Sequence, residues 1–181
     1  MQYDPQMEKQ PLKPGFPAFV TVMMIISLVL CSWRLRVTYG EVHDIEAVMA
    51  VIPPGYTYVV WLEVTAGIAI VFTGLIGNCL ILMNYRVGAY LSFASIAFAV
   101  MRIGVSIFIF TLLMHQMTRS QHVLAETFRH GAVLVTVVQA AYLLVYAVAI
   151  IKFLCWKNAV TEFDSTQQFE TRFAPVTFDT E

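Results

Sequence analysis

The sequence predicts an all-helical membrane protein, a four-helix transmembrane bundle. Of its 181 residues, 59% are hydrophobic and only 13% are charged, and the mean hydropathy is +0.71. A soluble domain usually has roughly 45–50% apolar and about 25% charged residues, so this chain is too apolar to be one. Four segments are long and apolar enough to cross ~30 Å of hydrocarbon as helices. None alternates apolar and polar residues with period two, which argues against a membrane β-barrel.

The four predicted spans are residues 16–33, 58–83, 89–114 and 131–154. The first follows Lys9 and Lys13, as in a signal peptide, but no small-residue cleavage site comes after it. We therefore interpret it as a retained signal anchor. The spans define a membrane domain of residues 16–157, with tails of residues 1–15 and 158–181. The acidic C-terminal tail is predicted to be weakly ordered.

The predicted loops differ in length and character. Residues 84–88 form so short a connection that the second and third spans must be antiparallel neighbours. The first outer loop, residues 34–57, has apolar residues at three- and four-residue steps, which predicts a short amphipathic helix at the membrane interface. The apolar positions of that helix are Val42, Ile45, Val48, Met49 and Ile52.

The distribution of lysine and arginine predicts the orientation, because cytoplasmic loops carry the excess. Both termini are predicted to be cytosolic, with residues 34–57 and 115–130 on the outer side. The sequence does not distinguish the plasma membrane from an endomembrane. The cytosolic positions would be Lys9, Lys13, Arg86, Lys152, Lys157 and Arg172, and the outer positions Arg34, Arg36, Arg119 and Arg129.

Arg102 is the most informative residue of the sequence, because it lies in the middle of the third predicted span. It is about 12 residues, or ~18 Å, from either end of that span. An arginine at such a depth costs at least ~2.5 kcal/mol on insertion scales. Small or polar residues at helical spacing from Arg102 indicate that this side of the helix faces other helices. They are Gly88, Ser92, Ser95, Ala99 and Ser106.

Three side chains on other spans are candidate partners for Arg102. Glu63 is on a matching stripe of the second span, and counting from the middle of the short turn places it ~10 Å from Arg102 along the axis. Gln139 and Tyr142 on the fourth span lie at similar depth to Arg102. The sequence therefore predicts an intramembrane polar cluster of Glu63, Arg102, Gln139 and Tyr142.

Two interpretations of this cluster remain open at the level of the sequence. Intramembrane ionisable groups often form a site for an ion, a proton or an anionic headgroup, or a charge pair that a partner subunit completes. One arginine and one glutamate can also neutralise each other as a structural ion pair that fixes helix register. The residues alone favour neither interpretation.

Small residues form stripes that predict close helix packing, within the bundle or with another subunit. We expect a homo- or hetero-oligomer, although internal packing alone is the simpler explanation. A second small-residue row on the second span comprises Thr65, Ala69, Thr73 and Gly77. The helix-packing positions are Gly67, Gly74, Gly77, Ser92, Ser95, Ala99 and Ser106.

Reactive chemistry is not predicted. The sequence has no Ser-His-Asp arrangement, CxxC, HExxH or glycine-rich phosphate loop, so we expect neither an enzyme nor a bound cofactor or metal. The net charge of −1 argues against nucleic-acid binding. Cys155, at the predicted cytosolic edge, is a candidate for palmitoylation or an unmodified thiol. The histidines, all on the predicted outer side, are His43, His115, His122 and His130.

The layout over residues 16–157 resembles that of the MARVEL-type four-span proteins of vesicle trafficking and membrane apposition. The shared features are a short cytosolic N-terminus, a first outer loop of about two dozen residues, a very short inner turn, a modest second outer loop and a cytosolic tail. The resemblance covers the order and lengths of these elements and rests on no motif.

These observations support three hypotheses of function. The first is a non-enzymatic protein that organises membranes or partner membrane proteins through helix contacts, as the small-residue stripes suggest. The second is an ion-channel or transporter subunit that uses the intramembrane Arg/Glu cluster. The third is a membrane anchor subunit of an electron-transfer complex.

Overall fold

The structure, a computed structural model, describes residues 14–43, 45–51, 54–116 and 122–173. Within them every element of secondary structure is a helix, and four helices are long and apolar enough to cross a membrane. This confirms the predicted architecture and makes the chain an integral, multi-pass protein of a lipid bilayer. The elements are α1 (Ala18–His43), α2 (Ile45–Val51), a 3-10 turn (Pro54–Tyr56), α3 (Thr57–Leu82), α4 (Arg86–Gln116) and α5 (His122–Phe173).

Helix α1 is longer than the predicted first span. It continues from residue 33, where the span was predicted to end, to His43. Apolar residues such as Leu35 and Val37 follow Trp33, and nothing there breaks a helix. Arg34, which was assigned to the outer loop, is therefore a residue of a membrane-compatible helix. Helix α2 contains only Ile45, Val48 and Met49 of the five apolar positions, because Val42 belongs to α1 and Ile52 lies outside the described residues. A short helix at the membrane interface stays a prediction.

Helix α5 corrects the prediction for the C-terminal tail. The tail was expected to be weakly ordered from residue 158, but α5 continues to Phe173. No glycine or proline interrupts residues 158–173, and the Ser165 and Thr166 hydroxyls donate hydrogen bonds to the Glu162 carbonyl within the helix. The 52 residues of α5 extend about 78 Å, more than twice the hydrocarbon thickness. Residues 1–13 and 174–181 of the predicted tails lie outside the described part of the chain.

The turn between α3 and α4 makes these helices an antiparallel pair, as predicted. Asn84 has a φ of 67°, in the left-handed region that asparagine tolerates better than most residues. Its N–H donates to the Ile81 carbonyl at 2.8 Å, and the Tyr85 N–H donates to the Leu80 carbonyl at 2.8 Å. This is the Schellman pattern of helix termination, and α4 begins at the next residue, Arg86.

Helices α3 and α4 approach until their backbones touch. A Cβ atom built on Gly77 would lie 2.9 Å from the Ser92 nitrogen and 3.0 Å from the Gly88 oxygen. One built on Gly88 would lie 2.6 Å from the Gly77 oxygen. Only glycine allows this separation, and it brings the Ser95 hydroxyl within 3.1 Å of the Ile70 carbonyl, to which it donates. The interface between α3 and α4 is the most extensive in the bundle.

The bundle has a closed end and an open half. The closed end, beside the turn at 83–85, has an apolar core that α1, α3, α4 and α5 share. In the other half, most residues of α5 between 133 and 141 are exposed. We call this region the open half. The buried core residues of the closed end are Val20, Met23, Met24, Ile81, Ala89, Tyr146, Ala149, Ile150 and Phe153.

The close approach of α3 and α4 predicts a position-specific effect of alanine. Gly88→Ala should lower the free energy of unfolding by about 1–3 kcal/mol, because the new Cβ meets backbone atoms that cannot move separately. The matched control is Gly104→Ala in the same helix, where a Cβ would meet nothing within 4 Å. That variant should be as stable as the parent or up to about 1 kcal/mol more stable, because alanine favours a helix more than glycine does.

Unfolding in mixed micelles by SDS titration, followed by circular dichroism, measures both effects. Equal stability of the two variants would show that α3 and α4 do not pack as closely as described.

Candidate functional site

The open half contains a cavity of about 560 Å³ between α1, α3, α4 and α5. This volume is within the range of ligand pockets, about 300–1,000 Å³. Among the described residues, three charged side chains line the cavity: Arg34 from α1, Glu63 from α3 and Arg102 from α4. The lining also includes apolar residues of all four helices and hydroxyl and amide groups. The cavity between these four helices is therefore amphiphilic.

Arg102 points into the bundle. The residue is only 5% exposed, and a Cβ atom on Gly67 would lie 2.8 Å from its Nη1 atom. The missing side chain of Gly67 thus makes room for the guanidinium. The Nη2 atom lies 3.7 Å from Glu63 Oε1, and the Ser106 hydroxyl donates to that same oxygen at 2.7 Å. The carboxylate therefore holds the serine by a direct hydrogen bond and the guanidinium by charge at a longer distance.

The register of α3 on α4 explains how Glu63 reaches Arg102. In a pair of antiparallel helices, the numbers of facing residues have a constant sum. That sum is 169 for Gly67 and Arg102 and also for Glu63 and Ser106. The helices therefore pair about a point between residues 84 and 85. The expected ~10 Å offset assumed a turn centred near Arg86, where α4 has in fact begun. The actual offset is four residues, about 6 Å along the axis, which an arginine side chain spans.

Helix α1 packs against α3 with an equally regular register. Thr38 lies against Gly67 and Cys31 against Gly74, and in both pairs the numbers add up to 105. The same register places Arg34 about one turn nearer the closed end than Arg102. Glu63, Arg102 and Arg34 therefore follow one another along the cavity at steps of about one helical turn, ~6 Å each.

A hydrogen-bonded cluster separates the cavity from the apolar core. The Asn78 amide donates to the Ser27 hydroxyl at 2.7 Å, and the Tyr146 hydroxyl donates to Asn78 Oδ1 at 2.5 Å. We call Ser27, Asn78 and Tyr146 the polar floor. Asn78 is fully buried, so these bonds satisfy groups that would be costly to bury unpaired. Tyr142 stacks on Tyr146, with ring centroids 5.9 Å apart.

The structure brings the four residues of the predicted polar cluster to one cavity. Glu63 and Arg102 form an ion pair, and Gln139 and Tyr142 line the cavity from α5. Gln139 is exposed and Tyr142 half-buried. The cavity adds Arg34 to this set.

The predicted helix-packing residues lie at or beside the contact between α3 and α4. Their small side chains therefore serve packing within the bundle. Cys155, the proposed palmitoylation site, is an exposed residue of α5. The buried packing residues are Gly67, Gly74, Gly77, Ser92 and Ser95, and the half-buried ones are Ala99 and Ser106.

Sequence reasoning missed Arg34 and Asn78. Arg34 was assigned to a loop because the first span was predicted to end one residue before it. The apolar residues that follow it were the signal of a longer helix. Asn78 directly follows Gly77 of the small-residue stripe, and its position in a span was a signal for a buried polar partner.

Comparisons with known proteins do not assign the site. No protein-family model, curated protein or solved structure matches the chain. Among the described residues, no group of three His, Cys, Asp or Glu side chains is arranged to hold a metal ion. The functional argument therefore depends on the fold and the geometry of the cavity. The MARVEL-type resemblance stays a prediction.

The ion pair predicts energetic coupling between Glu63 and Arg102. We expect this coupling in a double-mutant cycle with Glu63→Gln and Arg102→Gln. The loss of unfolding free energy in the double variant should differ from the sum of the two single losses by about 1 kcal/mol or more, because each single change leaves the other charge poorly neutralised. The control cycle pairs Arg102→Gln with Glu162→Gln, an exposed acid of α5.

The control pair should be additive, because residues without shared partners do not couple. The same SDS titration measures both cycles. Additive effects for Glu63 and Arg102 would contradict the ion pair.

Proposed function

We propose that this multi-pass membrane protein is a non-enzymatic channel or transporter subunit and that its transported species occupies the cavity. The observation that carries this proposal is that Arg34, Glu63 and Arg102 line a space that a ligand can enter. A purely structural ion pair in a membrane would be enclosed and directly hydrogen-bonded. Here the Glu63 side chain is 26% exposed, and its Oε1 atom is 3.7 Å from Nη2 of Arg102.

The polar groups form a path that ends inside the bundle. From Glu63 to Asn78 the path covers 15 residues of α3, about 22 Å. Beyond Asn78 the apolar core of the closed end would block a hydrated solute. Access from one side with a barrier at the other is the arrangement that a transport cycle requires.

Helix α5 is the element whose movement would open that barrier. Its contacts with α1 and α4 are far fewer than those between α3 and α4. Tyr146 and Phe153 contribute α5 side chains to the polar floor and the core. A tilt of α5 would separate these side chains from Asn78 and Ile81 and would leave the α3 and α4 pair intact.

The proposed orientation places the closed end toward the cytosol. Arg86, Lys152 and Lys157 are near that end, in agreement with the excess of positive charge on the cytoplasmic side. The cavity would then open toward the outside or the lumen.

Flux through proteoliposomes tests the proposal. The probes are chloride, potassium and a fluorescent phosphatidic acid analogue, which represent a small anion, a small cation and an anionic lipid. We expect chloride or the lipid analogue to move faster than in protein-free vesicles and Arg102→Gln to slow that anion by about tenfold or more, because a hydrogen bond from the guanidinium to the anion is lost. Arg36→Gln changes an exposed arginine outside the cavity lining and should have no effect.

Two results would contradict the transport proposal. The first is that none of the probes crosses faster than in empty vesicles. The second is that folded Arg102→Gln protein transports as well as the parent.

A second candidate function is the organisation of partner membrane proteins through helix contacts, as a homo- or hetero-oligomer. The small-residue row on α3 favours it, because Thr65 is exposed and Ala69 and Thr73 are half-buried. The Thr65 hydroxyl donates to the Trp61 carbonyl at 2.8 Å, so this face leaves no unpaired hydroxyl toward a partner helix. Native mass spectrometry of the flux preparation distinguishes this function: an oligomer that Thr65→Leu dissociates, without flux, would favour it.

A further inference from the structure

We propose that the cavity binds an anionic amphiphile, a molecule with a compact carboxylate or phosphate headgroup on an apolar chain. The inference rests on the proposed function only in taking the cavity as a binding site. It adds the chemical class of the species that occupies the site.

The charges of the lining favour an anion. Two guanidiniums, from Arg34 and Arg102, line the cavity together with one carboxylate, from Glu63. A guanidinium has five N–H donors and no acceptor, and the Glu63 oxygen that faces Arg102 already accepts a hydrogen bond from Ser106. In the described part of the lining, positive charge therefore exceeds negative charge. The apolar helices and lipid around the cavity lower the local dielectric, which strengthens the attraction of an anion to these groups.

The placement of the two arginines suits a compact headgroup. Arg34 on α1 and Arg102 on α4 flank α3 at heights about one turn apart, ~6 Å along the axis. A guanidinium matches the geometry of a carboxylate or a phosphate with two parallel hydrogen bonds. Gln139 and Thr136 of α5 line the same cavity and add an amide and a hydroxyl. A headgroup between these helices can therefore contact cationic and neutral donors together.

The cavity is too large and its walls are too apolar for a headgroup alone to fill it. A phosphate occupies the volume of about three water molecules, ~90 Å³ at ~30 Å³ each, and the cavity holds about 560 Å³. The remaining wall includes aliphatic side chains of every long helix. An apolar chain against these side chains is favourable, because it removes apolar surface from water. These aliphatic side chains are Leu30, Ile70, Ile103, Val135 and Leu143.

The α5 side of the cavity provides a route for the chain to the bilayer. Residues 133–141 include the cavity-lining residues Val135 and Gln139, and both of these are exposed. This segment therefore leaves the cavity open along α5. An acyl chain longer than the cavity can leave beside α5 while its headgroup stays between the arginines.

Binding to the full chain in phosphatidylcholine nanodiscs tests the inference. The radiolabelled probes are dodecanoate and dodecyl phosphate, with dodecanol and inorganic phosphate as competitors that lack the charge or the chain. Excess binding over empty nanodiscs is measured. We expect saturable binding of about one anionic probe per protein chain. Dodecanol and inorganic phosphate should compete much more weakly than the unlabelled anionic probes do. Binding of dodecanoate alone would assign a carboxylate headgroup, and binding of dodecyl phosphate alone a phosphate headgroup.

Variants connect the binding to the cavity. Arg34→Gln and Arg102→Gln should each weaken binding by about tenfold or more, because each removes charged hydrogen bonds. Arg36→Gln, two residues from Arg34 but exposed and outside the lining, should bind like the parent. If Arg102→Gln does not fold, Arg34→Gln, at a half-buried position, carries the test.

Several outcomes would overturn the inference. Competition by dodecanol equal to that of the anionic probes would show that the charges are irrelevant. Competition by inorganic phosphate equal to that of the anionic probes would show that the apolar chain of the probe is irrelevant, while leaving the transport proposal intact. Absence of saturable binding, or unchanged binding in folded Arg34→Gln and Arg102→Gln, would reject the site. Binding without flux would instead reject transport and leave the inference standing.

Discussion

The backbone contact between α3 and α4 is the constraint on which the rest of the structure depends. Gly77 and Gly88 allow the two helices to touch, and the turn at Asn84 sets the point about which they pair. Once that register is set, Arg102 must lie opposite Gly67, where a side chain is missing, and within one turn of Glu63. The intramembrane charges are thus positioned by packing of small residues, and electrostatic attraction need only hold them there.

The same register divides the bundle into two functional parts. Small residues bring α1, α3 and α4 together along their length, while α5 adds large side chains mainly at the closed end. The result is an apolar core on one side of the polar floor and a charged cavity on the other. A helix with few contacts beside a rigid helix pair is a suitable moving part, because its displacement breaks few interactions.

Much of this arrangement could be predicted from the sequence. Hydropathy and length indicate four spans, and the stripe through Arg102 indicates which side of its helix faces inward. The ends of the helices could not be predicted, because hydropathy measures compatibility with lipid whereas α1 and α5 continue wherever nothing breaks them. Arg34 was missed for this reason. Nor could the cavity be predicted, since the gap beside α5 depends on how far that helix stands from the others.

Thiol accessibility along α5 tests most directly whether the charged cavity is open to water. Single cysteines replace Thr136 and Gln139, which line the cavity, and Val137 and Val138, which do not. A membrane-impermeant thiol reagent added to both sides of the membrane should modify the cysteines at 136 and 139 and spare those at 137 and 138. Equal reactivity of all four, or protection of 136 and 139, would contradict a water-accessible charged cavity. The background for this measurement replaces the native cysteines Cys31, Cys79 and Cys155 with alanine.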